Sequence, residues 1–200
     1  LSAELALLGN IIDYGGVTLF DPAGIFSEAG NLQLAVDDYA LMSKRMKKAG
    51  TLLMIGDNAG EAVFDKFWLR EIRNAFPKLR LIYAVRREPA INDMTLEDAR
   101  EIGMDEVAEL IHSGSSFAGT VPELASEPFR SLFNQADLVI SKGQGNYETL
   151  EDTDREVFFV FKVKCDVVSR YSGLPLGSLV IGCGSSLRQR RQFVNRSRAG

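Results

Sequence analysis

Histidine and cysteine are almost missing from this chain. Its 200 residues include one histidine, His112, and two cysteines, Cys165 and Cys183. Two cysteines make no disulfide framework, so a reducing cytoplasm is the expected compartment. His112 forms no zinc spacing with them and has no sequence neighbour for a Ser-His-Asp or Cys-His set; a place near a helix end is expected for it. Excess positive charge is missing too. The formal net charge is -4, which leaves no footprint for nucleic acid. No apolar run approaches the roughly 20 residues of a membrane span, so no membrane partner is expected. The chain has no internal repeat and no G-x-x-x-x-G-K-[ST] phosphate loop. Its opening, Leu1-Ser2-Ala3-Glu4-Leu5, has no basic region and does not read as a signal peptide; it also lacks an initiating Met, as expected of a piece of a longer protein.

What is present is ordinary in bulk and specific in detail. A hydrophobic fraction of 46% and a charged fraction of 25% suit a globular domain with a real core. Apolar spacing predicts helices over 2–14, 33–48, 61–74, 95–102, 104–112 and 127–134. In the 61–74 helix the apolar positions are 63, 64, 67, 68 and 72. Buried strands are predicted over 51–55, 79–85, 137–141 and 156–164. Helices alternating with strands predict an α/β fold, a sheet with helices on both faces. One domain is expected over 1–182, with a helical part over 1–50. The 183–200 tail carries Arg188, Arg190, Arg191, Arg196 and Arg198 with no helical or strand period. A basic tail can bind nucleic acid, but a flexible, frayed terminus is the preferred reading.

Three polar clusters directly follow predicted strands, where ligands bind in open α/β sheets. The first is Gly56-Asp57-Asn58-Ala59-Gly60-Glu61. Asp, Asn and Gly are also turn formers. As a site, Asp57 supplies a carboxylate oxygen and Asn58 an amide oxygen, both acceptable to Mg²⁺ or Mn²⁺. Glu61 caps the next helix or reaches the site, the cap being preferred. The second is Asn92-Asp93-Met94-Thr95, where capping of the next helix by Thr95 or Asp93 competes with a role for Asp93 beside Asp57. Two adjacent carboxylates repel unless a cation lies between them. The third is Lys142-Gly143-Gln144-Gly145-Asn146, a plain loop or an anion cradle built from glycine amides and a lysine. Asn10 and Asp13 share a helix face. Arg86 and Arg87 either grip phosphate or are surface charge.

In this order and register, these motifs resemble the DUF89 family, also called the ARMT1-like or damage-control phosphatase family. The matching text is Gly9-Asn10-Ile11-Ile12-Asp13, the 56–61 run, the stretch 85–99 from Val85-Arg86-Arg87-Glu88-Pro89 to Ala99, and 141–148. Coverage runs from about residue 8 to 181, and the 143–148 form looks like the prokaryotic subgroup. The resemblance implies a three-layer α/β/α sandwich with a Rossmann-like sheet and a helical N-terminal part. It implies a divalent metal, Mn²⁺, Co²⁺, Ni²⁺ or Mg²⁺, on Asp57, Asn58 and Asp93, and hydrolysis of small phosphate monoesters. Asn92 and Lys142 would hold the phosphate, with Asn10 lining the pocket. The amides of Gly143 and Gly145, with Lys142, are expected to neutralise charge on phosphorus. The segment N-terminal to residue 1 in such proteins, with its Cys-x-x-Cys, has no counterpart here, and the arginine tail departs from the family's ending. Two other function classes stay open: S-adenosylmethionine-dependent carboxyl methyl transfer, and a non-catalytic protein that binds metal and phosphometabolite.

Overall fold

The structure, a computed structural model, describes residues 2–9, 32–89, 92–117 and 119–199. In chain order the elements are α1 (Ser2–Gly9), β1 (Leu34–Asp37), α2 (Tyr39–Met46), β2 (Thr51–Ile55), α3 (Ala62–Ala75), β3 (Arg80–Val85), α4 (Leu96–Glu101) and β4 (Glu109–His112). There follow α5 (Glu127–Gln135), β5 (Leu138–Lys142), α6 (Gln144–Leu150), β6 (Phe158–Lys162), α7 (Asp166–Ser172), β7 (Leu179–Cys183) and α8 (Gly184–Ala199). Among the described residues seven strands form one sheet in the order β1-β7-β6-β5-β2-β3-β4. β2 to β6 run parallel, and β7 is antiparallel to β6.

Strand alternation sorts the core into two layers. Leu52 and Met54 pack with Leu7 of α1, Met42 of α2 and Trp68 of α3, whereas Leu53 and Ile55 pack with Phe129 of α5 and Tyr147 of α6. β6 repeats the pattern, with Phe158 and Val160 on one face and Phe159 and Phe161 on the other. Tyr147 meets the Phe159 ring edge-on and stacks on Phe161, with ring centroids 5.2 and 4.5 Å apart. Each large side chain buried this way contributes about 1.5–3 kcal/mol. The expected α/β class, helices covering both faces of the sheet, is what the structure shows. No helix among the described residues is long and apolar enough to cross a membrane.

Several expectations need correction. The 33–48 helix splits into β1 and α2, because Leu34 and Val36 pair in parallel with Leu179 and Val180 of β7. The 104–112 helix gives way to a 3-10 turn at Met104–Glu106 and to β4. Its 109–112 half pairs with 82–85 of β3, and cross-strand pairing outweighs a short ambiguous apolar period. His112 therefore ends a strand, not a helix. α3 turns its face by a step: Ala62, Asp65, Trp68, Leu69 and Ile72 are buried, while Val63 and Phe67 are exposed. The tail read as aperiodic is the helix α8, with Leu187 buried and Arg191 paired to Glu151 and Asp152. α6, α7 and β7 are further elements that the sequence reading does not contain. The expected helix over 2–14 is described only to Gly9, and Asn10 and Asp13 lie outside the described residues.

Candidate active site

Strand order creates a crevice at the carboxyl ends of β2 and β5. The chain leaves β2 through α3 to β3 on one side, and leaves β5 through α6 to β6 on the other. Such a switch point is where open α/β sheets bind ligands. Two glycines let the turns meet there. A Cβ on Gly143, whose φ is +81°, would lie 1.8 Å from Asp57 Oδ2, and one on Gly56 would lie 2.4 Å from Tyr83 Oη. No side chain fits either position, so the Asp57 carboxylate rests directly on the turn after β5.

A second segment docks onto the first. The amide of Met94 donates to the Asp57 carbonyl, and that of Ala59 to the Asn92 carbonyl, both at 2.9 Å. An antiparallel bridge thus sets Asn58 opposite Asp93, and residues opposed in this way carry their side chains on the same side. Asp93 does not cap α4. Thr95 does, in a reciprocal box with Asp98, as expected for Thr95. Asp93 instead accepts 2.7 Å from Arg86 Nε. The buried Arg86 also donates to Thr120 Oγ1 at 2.7 Å and to Asn146 Oδ1 at 2.9 Å. Asn146 Nδ2 reaches the carbonyls of Gly56 and Lys142. One guanidinium and one amide thereby tie together the turns after β2, β3, β4 and β5.

The other side of the crevice is a buried ionic cluster. Glu61 precedes α3 without capping it. Its Oε1 accepts 2.9 Å from Asn58 Nδ2, while Oε2 accepts no hydrogen bond among the described residues and lies 3.6 Å from Lys142 Nζ. Lys142 Nζ donates 2.6 Å to Asp65 Oδ1 and 2.9 Å to the Ala6 carbonyl. Tyr83 Oη donates to Asp65 Oδ2 at 2.9 Å. The Asp57 carboxyl is pushed up to about 7, first by burial and then by Glu61 and Asp93, against the pull of Arg86 and Lys164. Burial likewise raises Glu61, opposed by Lys142. Burial pulls the Lys142 ammonium down, but Asp65 and Glu61 outweigh it and leave it raised.

The expected site residues therefore separate. Asp57, Asn58 and Asp93 come together. Asn92 lies on the bridge beside them, its carbonyl occupied by Ala59 and its side chain partly buried. Two anion-cradle expectations need correction. The Gly143 amide donates to the Val160 carbonyl at 3.0 Å within the sheet, so it does not face a phosphate. Lys142 is wholly buried, and its ammonium is engaged beneath the crevice. Gly145 opens the first turn of α6, packed against Gly119. Sequence reasoning passed over Asp65, Tyr83, Thr120 and Lys164, named Asn146 only within the third cluster, and preferred a cap for Glu61. Asp65 had a readable signal: an acid on the buried stripe of an amphipathic helix requires a buried partner.

Among the described residues no three His, Cys, Asp or Glu side chains form a metal-holding group; the set at hand is two carboxylates and an amide. It nonetheless fits a hard divalent cation. The donors are oxygens, Asp57 is crowded by like charge, and a neighbouring carboxylate oxygen is buried without a hydrogen-bond donor. The same oxygens suit Mn²⁺, Co²⁺, Ni²⁺ or Mg²⁺.

Comparison with known proteins adds an independent line. The family described as the damage-control phosphatase ARMT1-like domain matches residues 2–180. A damage-control phosphatase of Pyrococcus horikoshii is 35% identical over 184 residues, covering 90% of this chain and 63% of that protein. A damage-control phosphatase of Archaeoglobus fulgidus is 34% identical over 142 residues, covering 69% of this chain and 49% of that protein. The crystal structure of a DUF89 family protein from Pyrococcus horikoshii superposes with a TM-score of 0.82 at 34% identity, over 90% of this chain and 64% of that one. The chain thus spans about half to two thirds of the length of the relatives it matches.

Proposed function

This chain belongs to the damage-control phosphatase ARMT1-like family, and on that premise we propose that it is a metal-dependent phosphatase hydrolysing small phosphate monoesters, such as sugar phosphates or damaged phosphometabolites. The observation that carries the proposal is the bridge setting Asn58 opposite Asp93 beside Asp57, at the switch point of the sheet. Asp57, Asp93 and the Asn58 amide oxygen would hold the cation, which when bound supplies Lewis-acid polarisation and charge neutralisation at a phosphoryl oxygen.

The remaining work falls to the chain's own groups. Arg86 holds and aims Asp93, its fork fixed by Thr120 and Asn146. Asn92 and the backbone at Gly145 stand at the same edge, where they would orient the phosphate, and Asn10 would line the pocket from outside the described residues. Lys164 follows β6 at that edge and exerts its positive field on both Asp57 and Glu61, so it would help hold an anionic substrate.

Phosphate release from a panel of sugar and cofactor phosphates tests this reading. Metal-stripped protein receives Mn²⁺, Co²⁺, Ni²⁺ or Mg²⁺ in turn. The expected result is metal-dependent release that disappears in Asp57→Ala. Release that persists in a chelator, or in Asp57→Ala, overturns it. No release from protein shown to bind metal points to a non-catalytic binding role, and calorimetric binding of S-adenosylmethionine would point to methyl transfer.

A further inference from the structure

We propose that Glu61 and Lys142 are positioning residues that hold the Asn58 amide with its oxygen turned toward the cation, and that Lys142 is not a phosphate ligand. The inference rests on the reading above, in which Asp57, Asn58 and Asp93 hold a divalent ion. An asparagine amide has one end that ligates a cation and one that repels it. An ionised carboxylate only accepts hydrogen bonds, so Glu61 Oε1, 2.9 Å from Asn58 Nδ2, fixes which end faces it. The amide oxygen is then the end left for a ligand. Partners of this kind orient metal ligands in many sites and are worth tenfold or more in affinity.

Glu61 is itself held. Its side chain is 1% exposed, and Oε2 faces Lys142 Nζ at 3.6 Å. Lys142 cannot leave freely, because Asp65 Oδ1 and the Ala6 carbonyl accept from it at 2.6 and 2.9 Å. Asp65 is fixed in turn by Tyr83. A phosphate contact would require the ammonium to abandon two buried carboxylates and a carbonyl, which carries a heavy penalty for the charges left unpaired. The chain Asn58–Glu61–Lys142–Asp65–Tyr83 therefore runs from the metal ligands into the core, away from the crevice.

The test uses the whole chain and two titrations: Mn²⁺ binding to metal-free protein, and inorganic phosphate binding at saturating Mn²⁺. Glu61→Gln keeps the shape of the side chain but can donate to the Asn58 oxygen. It is expected to weaken Mn²⁺ binding about 10–100-fold and to leave phosphate affinity unchanged, a split that a merely structural role would not produce. Lys142→Met is expected to show the same split; if it does not fold, Glu61→Gln decides. Unchanged Mn²⁺ affinity in Glu61→Gln overturns the inference, as does Lys142→Met that keeps Mn²⁺ and loses phosphate. Wild-type protein that binds no Mn²⁺ overturns the metal reading and this inference together.

Discussion

Two cations lie buried beneath the crevice, and they solve the same electrostatic problem differently. Arg86 is 2% exposed and Lys142 is 0% exposed. Arg86 faces one carboxylate, Asp93, and two neutral oxygens, so its planar fork ties loops together. Lys142 faces two carboxylates and a carbonyl under α1 and α3, so its compact charge neutralises a cluster. Between them they serve Asp57, Glu61, Asp65 and Asp93. Four carboxylates against two fully buried cations leave an anionic excess, and through Glu61 and Asp93 it adds to burial, the larger cause, in pushing the Asp57 carboxyl up to about 7. The crevice is built to be short of positive charge where a divalent ion fits. The Arg86 side sets geometry, and the Lys142 side sets how much charge remains.

The sharpest way to break this comparison is to remove one of the proposed metal ligands. Asp93→Asn is expected to lower metal affinity and phosphatase activity by more than about a hundredfold, beyond the effect of an outer partner. Calorimetry and phosphate release read it, and retention of both would refute the assignment. Next comes Arg86→Met, which strands the Asp93 charge. A broken buried pair costs about 3–5 kcal/mol, read as a shift of the urea unfolding midpoint; a loss below about 1 kcal/mol would show that Arg86 does not bear the loops.

A pH series tests the charge excess itself. The Asp57 carboxyl has a folded value near 7 against an ordinary value of 3.8, so the folded state favours its protonated form. That stability is present below about pH 4 and is lost as pH rises through 7. Metal-free protein should therefore melt lower at pH 8 than at pH 5.5. Added Mn²⁺ should raise the melting temperature most at pH 8, and Asp57→Asn should flatten the slope. An equal slope in Asp57→Asn would place the excess elsewhere. The smallest effect lies far from both cations: Thr95→Ala removes the α4 cap at a cost of about 1 kcal/mol, with metal affinity unchanged.

Legibility in the sequence followed the range of the interaction. β2 was readable to the residue at 51–55, because a parallel strand covered on both faces is a plain apolar run. The Thr95 cap was readable because a capping box spans three residues. β1 was not, since Leu34 and Val36 become a strand only by pairing with β7, about 145 residues away. α8 was hidden because its inner side, the buried Leu187 and the partly buried Arg191, is held by distant partners such as Glu151 rather than by an apolar stripe.

By itself the sequence determined that Asp57 and Asn58 lie just past a run that must be a strand, because strand ends are local facts, while Asp93 is brought beside them by the bridge to Asn58. It equally determined the α/β class, through the alternation of periods. Only the tertiary structure decided what the charged side chains do there. Lys142 read as a phosphate ligand because glycines follow it. It is instead held beneath the floor, because Asp65, 77 residues away in sequence, and Glu61 need a buried cation that no local pattern announces.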